Sequence, residues 1–330
     1  LAGNSVNGSG NGARSGAQTL TLLAAPLVGL VLQALAEGPK RQAELQQEAG
    51  FPAQSALRTQ LKTLALLGAV EKSRPNRFPG AFEYFLTPAG EDLRFVADVL
   101  ERWLRGTNGD SLELGDGPAK ATTKALAEGW STTILRVLAA GPLALTELDR
   151  VISSLSYPSV ERRLAAMRTA KLVEPLSTGG RATPYAVTDL ARSSVAPLAA
   201  AARWEQHHLA EAAPPLAPLD VEATFLLAVP LLQLPTDSSG SCRMAVEISS
   251  GGMRRLAGAT IAIEDGVATC TTRLQPEVDA WALGPLMAWL SALIEPDPGR
   301  LELGGDHELS RLVINGLHRS LFAVPSKKSI

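Results

Sequence analysis

Apolar positions recur at helical spacing over residues 27–36 and stop at Gly38 and Pro39. A shorter helical stretch covers 42–49 and is closed by Gly50. The third apolar stripe runs over 52–67, where Leu57, Leu61 and Leu64 share one face, Pro52 falls in the first turn and Gly68 ends the helix. A strand then starts at 69–72. Residues 74–80 form a turn-rich basic tip, 81–87 return as a second strand, and a closing helix covers 88–103.

The whole pattern recurs. Leu-Gln-Ala-Leu-Ala-Glu-Gly-Pro at 32–39 returns as Leu-Arg-Val-Leu-Ala-Ala-Gly-Pro at 135–142. At the same offset of 103, Glu44 and Leu45 match Glu147 and Leu148, and Val70 and Glu71 match Val173 and Glu174. Leu57, Leu61 and Leu64 likewise match Val160, Leu164 and Met167. Beyond the hairpin the offset is 101, pairing Tyr84 with Tyr185, Thr87 with Thr188 and Trp103 with Trp204. A two-residue deletion confined to a surface hairpin accounts for the change.

Three helices, a hairpin and a closing helix is the order of a winged helix-turn-helix, in which the third helix enters the major groove of double-stranded DNA and the hairpin touches the flanking backbone. The polar face of the first such helix offers Gln54, Ser55, Arg58, Thr59 and Lys62, with Arg74 and Arg77 on the wing. The second copy places its reading helix at 157–170, with Ser159, Arg162 and Arg163 as candidates and Arg181 on the wing. Arg and Gln suit guanine and adenine edges, whereas Lys and Ser more often hold phosphate. The same residues also make an ordinary solvated helix face. Glu161 stands where the first copy has Arg58, which marks the second copy as the weaker reader. Trp103 and Trp204 read as core or interface anchors.

At these residues the chain resembles the HxlR family. Shared features are Leu35 followed by Gly38 and Pro39, Glu44-Leu45, Gly68 before Val70-Glu71, Tyr-Phe-Leu-Thr-Pro at 84–88, and a tryptophan late in the closing helix. The resemblance covers about 19–103 and 130–204. It implies a DNA-binding transcription regulator. Members commonly carry one such domain per chain and act as homodimers, so two copies imply an intramolecular pseudo-dimer, with a homodimer as the alternative. The second copy departs at Lys171, in place of glycine, and at Asp189, in place of proline. The cysteine that family members often have before the first helix is missing, so thiol sensing by that route is not implied.

After the proline-rich 213–218 the pattern changes. Residues 225–230 and 242–249 read as strands, and 259–264 and 267–272 flank Asp265-Gly266, a hairpin signal. Helices are expected over 278–293 and 307–322, with a short strand and turn at 299–306 between them. Strands followed by helices indicate an α+β unit. The Asp-Gly hairpin, Ala282-Leu-Gly284 before an apolar helix, and Leu-Glu-Leu-Gly-Gly-Asp at 301–306 resemble sterol-carrier-type lipid-binding domains. That resemblance implies an apolar cavity lined by Phe225, Trp281, Leu286, Met287, Trp289 and Leu290, which would serve equally as plain core. The expected organisation is a tail at 1–18, winged-helix units at 19–118 and 119–212, a linker at 213–219 and the α+β unit at 220–330.

Charge adds one refinement. Lys+Arg against Asp+Glu is 11 to 12 over 1–118, 11 to 8 over 119–215 and 9 to 13 over 216–330, so the acidic last third should sit away from phosphate. Cys242 and Cys270 are too few for a disulfide framework or structural zinc site and read as small core residues. His207 and His208 are adjacent, with no acidic or cysteine partner at ligand spacing, so neither a metal nor any other cofactor is expected. The chain contains no nucleophile elbow, His-Glu-x-x-His or phosphate loop, and an enzyme is not expected. Gly304-Gly-Asp-His307 reads as a turn capping the last helix. No uninterrupted apolar run suggests a membrane span, and the expected location is cytoplasmic. The leading expectation is a regulator that responds to a small hydrophobic ligand in its last third. The alternative is a protein that sequesters such a molecule, with the winged helices as scaffold.

Overall fold

The computed structural model describes residues 15–74, 82–106, 112–128, 131–177, 183–209, 212–250 and 253–323. The apolar stretch near the start becomes two helices, α1 (Ala17–Leu23) and α2 (Pro26–Ala36), which meet at 81°. Among the described residues no single helix is long and apolar enough to cross a membrane. α1 begins inside the segment expected to be a tail. It is pinned there by Glu205, whose buried carboxylate accepts from the Gly16 and Thr19 amides and the Thr19 hydroxyl. Burial pushes that carboxyl up from its ordinary range, against the lowering effect of these hydrogen bonds.

The first unit continues with β1 (Lys40–Arg41), α3 (Gln42–Glu48), α4 (Gln54–Leu66), β2 (Val70–Ser73), β3 (Glu83–Leu86) and α5 (Pro88–Arg105). Leu57, Leu61 and Leu64 are buried, as the stripe requires. Pro52 is not in the first turn of α4: Ala53 is the N-cap and Pro52 precedes it. Gly68, at φ +70°, reverses the chain into β2. The Thr87 hydroxyl donates to the Gly68 carbonyl and accepts from the Gly90 amide, tying the end of α4 to the start of α5. The strands pair β1-β3-β2, with Lys40 opposite Tyr84 and Val70 opposite Leu86.

The same element order follows over the next hundred residues: α6 (Gly117–Ala127), α7 (Ser131–Ala140), β4 (Leu143–Ala144), α8 (Leu145–Val151), α9 (Tyr157–Thr169), β5 (Val173–Pro175), β6 (Pro184–Val187), α10 (Asp189–Ser193) and α11 (Val195–His208). Sheet order is β4-β6-β5, with Leu143 opposite Tyr185 and Val173 opposite Val187. Those are the registers of the first sheet, displaced by 103 on one strand and 101 on the other. Lys171 takes the left-handed conformation of Gly68, at φ +56°, and its carbonyl accepts from the Thr188 hydroxyl. α10 and α11 together occupy the place of α5. The break falls at Ser194, and Pro197 in the first turn of α11 has no N–H to donate to the Ser193 carbonyl.

α5 and α11 pack against each other. The Trp103 indole donates to the Leu190 carbonyl at 2.8 Å, and the Trp204 indole donates to the Ala89 carbonyl at 2.7 Å.

The last third comprises α12 (Pro218–Ala228), β7 (Gly240–Ser250), β8 (Met253–Glu264), β9 (Val267–Thr271), β10 (Ala280–Pro285), α13 (Leu286–Ile294), β11 (Glu302–Gly305) and α14 (His307–Phe322). Its sheet has the order β11-β10-β7-β8-β9, with β10 parallel to β7 and the other pairs antiparallel. Two expectations are corrected here. Residues 225–228, read as the start of a strand, belong to α12, because a short apolar run does not distinguish a buried strand from a buried helix. Pro218 in the first turn and the Asp220 carboxylate accepting from the Ala217 amide start that helix. Residues 280–285, read as helix, form β10, in which buried Ala280, Ala282 and Gly284 alternate with half-buried Trp281 and Leu283. The Asp265-Gly266 turn is present, with both residues at positive φ.

Cys242, Met244, Val246 and Ile248 of β7 are buried, while Arg243 and Glu247 between them are half-exposed. The segment expected as a linker is docked: Leu216 packs on the core and the Pro214 carbonyl accepts from the Gln206 amide. One cluster of buried side chains extends from Leu20 to Phe322 across all three parts. Arg136 with Glu222 and Arg203 with Glu295 bridge the second and third.

Candidate nucleic-acid interface and apolar cavity

α4 lays its leucine stripe on the core, so its opposite face is open. Gln54, Ser55, Arg58, Thr59 and Lys62 are all exposed on it. The Thr59 hydroxyl donates to the Ser55 carbonyl, which leaves its oxygen able to accept from outside. Leu66 extends this face as an apolar residue, 78% exposed. On the adjoining hairpin the Lys72 ammonium lies 4.2 Å from the centre of the Phe82 ring and 5.7 Å from that of Tyr84, while the Arg74 guanidinium lies 5.6 Å from Phe82. Two cations are thus held on an aromatic platform beside α4. Lys72 and Phe82 were not singled out from the sequence, because a short strand with only Val70 buried carries no alternation to place them. Arg77 and Arg181 lie outside the described residues.

α9 is less cationic. Arg162 is exposed, but so is Glu161 beside it. Ser159 is half-buried, and its hydroxyl pairs with that of Ser156 at 2.9 Å. Arg163 is turned towards α6, where its guanidinium meets the Glu128 carboxylate at 2.9 Å and its side chain is only 21% exposed. It therefore fastens two helices together, and the exposed face of α9 carries Arg162 without it. Arg168, missed in the sequence, is exposed nearly two turns beyond Arg162, with its guanidinium 5.7 Å from the Tyr185 ring of β6.

An apolar cavity of about 100 Å³ lies where α1, α7, α11, α12 and α13 converge. Phe225, Leu286, Trp289 and Leu290 line it, joined by Leu135 and Leu198 from the second unit. The Trp289 indole is fixed by donating to the Ala245 carbonyl at 2.8 Å, and the Phe225 ring stands edge-on to it at 5.8 Å. Two expected lining residues are elsewhere. Trp281 lies over Gly304 of the neighbouring strand, where a Cβ would collide with the indole. Met287 faces a different pocket, between α13 and the α5–α11 pair. One turn of helix separates Met287 from Leu290 and Leu286 adjoins it, so sequence spacing alone did not assign them to different sides.

Both cysteines are free, and burial pushes each thiol up to about 11. They are therefore thiols at neutral pH and poor nucleophiles. The expectation that His207 and His208 have no acidic partner is overturned. Asp92 of α5 comes within 2.7 Å of the His208 ring, a pairing of residues 116 apart that no local spacing reveals.

No curated protein matches the chain. Residues 24–110 match the family model of the HxlR-like helix-turn-helix, so the segment from α2 to α5, with α4 as its exposed helix, is similar to a DNA-binding class of transcription regulators.

Proposed function

We propose that the chain is a DNA-binding transcription regulator built as two winged helices in one polypeptide, with a sterol-carrier-like third unit that holds a small hydrophobic ligand. The observation that carries the reading is the open cationic face of α4 beside the Lys72 and Arg74 platform, within the segment that matches the family model. Arg58 and Lys62 reach base edges or phosphate, and the wing residues hold the flanking backbone. α9 is the second reader, using Arg162 and Arg168. The equal registers of the two small sheets support treating 117–208 as a second winged helix.

The ligand site is the cavity bounded by Phe225, Leu286, Trp289 and Leu290. Its walls come from the second winged-helix unit as well as the third, so occupancy acts on both. A ligand that prefers one arrangement of the two units changes DNA affinity by that preference, and about 1–3 kcal/mol of coupling gives roughly 5–150-fold. The test is binding of the purified chain to its own upstream DNA across salt concentrations, with competitor. Specific binding that falls steeply with salt supports the reading. Retention of a co-purifying hydrophobic molecule without specific DNA binding would instead make the protein a sequestering carrier.

A further inference from the structure

We infer that Asp92, His207 and His208 form a binding site for a divalent transition metal, Zn²⁺ being the best chemical match, at the junction of α5 and α11. One ligand atom from each of the three lies within 4.8 Å of the others, and the Asp92 carboxylate and His208 ring are 2.7 Å apart. The two imidazole rings stand edge-on, with centroids 4.6 Å apart. Two imidazoles and a carboxylate are a donor set that suits zinc, with the remaining position left for water or a ligand. Tetrahedral bonds of about 2.0–2.2 Å place donors roughly 3.4 Å apart, so the Asp92–His208 pair opens by under about 1 Å while any donor near the 4.8 Å limit closes by about an ångström. Asp92 and His207 are exposed, and both histidines lie in the last turn of α11, so rotation of the side chains supplies that movement.

Packing accounts for part of the cluster, since the His208 ring also lies 5.7 Å from the Trp204 ring, but not for the approach of all three donors. The Trp103 and Trp204 contacts relate the two ends of the α5–α11 pair by the repeat offset of 101. By that offset the sequence counterparts of Asp92 and His207 are Ser193 and Gly106, and that of His208 is Thr107, which lies outside the described residues. The repeat-related positions are thus not ligand types, while this end gathers three donors from two helices. Asp92 and His207 also line a pocket of about 310 Å³ between α5, α11 and α13, which gives a metal an access route and open coordination positions. Arg203 in that pocket is engaged by Glu295, which offsets its repulsion of a cation.

The test uses the full chain without a histidine tag. Zn²⁺ binding is followed by titration calorimetry, and Co²⁺ binding by its visible ligand-field absorption. The expected result is one metal per chain with Kd at or below about 10 µM, weakened at least about tenfold in both Asp92→Asn and His207→Gln. His207→Gln is the fold-safe variant, since that side chain is exposed and the Asp92–His208 contact is left in place. No saturable uptake at about 100 µM, or uptake unchanged in both variants, overturns the site.

Discussion

Trp103 and Trp204 make the same hydrogen bond in opposite directions. Each indole, near the end of one closing helix, donates to a carbonyl at the start of the other: Leu190 for Trp103 and Ala89 for Trp204. Leu190 is to Ala89 as Trp204 is to Trp103, at the repeat offset of 101. A twofold relation between the halves is thus written into two bonds as well as into the sheets. Trp→Phe at either position should cost about 1 kcal/mol, the worth of one hydrogen bond, and Trp→Ala about 3–5 kcal/mol. Urea unfolding measures both, and the two positions should give matching losses.

Gly68 and Lys171 are equivalent turn residues in the left-handed conformation. A Cβ on Gly68 would meet nothing within 4 Å, so Gly68→Ala tests backbone strain alone and should cost about 1 kcal/mol. Lys171→Gly should move stability the other way by a similar amount. Thermal melts of the two variants, analysed alongside the wild type, should shift in opposite directions.

If α4 reads DNA, reversing charge on its open face must change both affinity and salt dependence. Arg58→Glu combined with Lys62→Glu should weaken binding at least about tenfold and flatten the slope of log K against log salt by about 2. Arg163→Ala should leave DNA affinity within about twofold, since that guanidinium is spent on Glu128, and should change stability by no more than about 1 kcal/mol. Equal effects of the two changes on DNA binding would reverse the assignment.

Cys242 and Cys270 should resist alkylation. With pKa values of about 11, the thiolate at pH 8 is about one part in a thousand, against about a quarter for an ordinary cysteine near 8.5. Burial disfavours the charged form, so reactivity rises only as pH climbs towards 11. Iodoacetamide at pH 8 should label the native chain far more slowly than the urea-unfolded one.

The helices that bury one face on a regular stripe, such as α4 and α14, were legible because periodicity reports directly on burial. The matching stretches stand out in the sequence because Gly-Pro pairs and tryptophans recur at a near-constant offset. α12 and β10 were not legible, for one shared reason: both are covered on more than one side, so their apolar residues carry no diagnostic period. The site divides in the same way. Exposure of Arg58 and Lys62 follows from the phase of α4. The engagement of Arg163 by Glu128, the aromatic seat of Lys72, and the meeting of Asp92 with His208 depend on chain segments 10 to 116 residues apart, which no local pattern encodes.

A homodimer of identical readers is bound to present identical faces, and its site tends towards a palindrome. Here the position held by Arg58 on α4 is held by Glu161 on α9, and that held by Lys62 is Ala165. Joined in one chain, the two halves are free to diverge in this way without spoiling each other. On the DNA-binding reading the target sequence should therefore be directional, with a strong half under α4 and a dissimilar, weaker half under α9, so that the bound protein marks an orientation along the duplex.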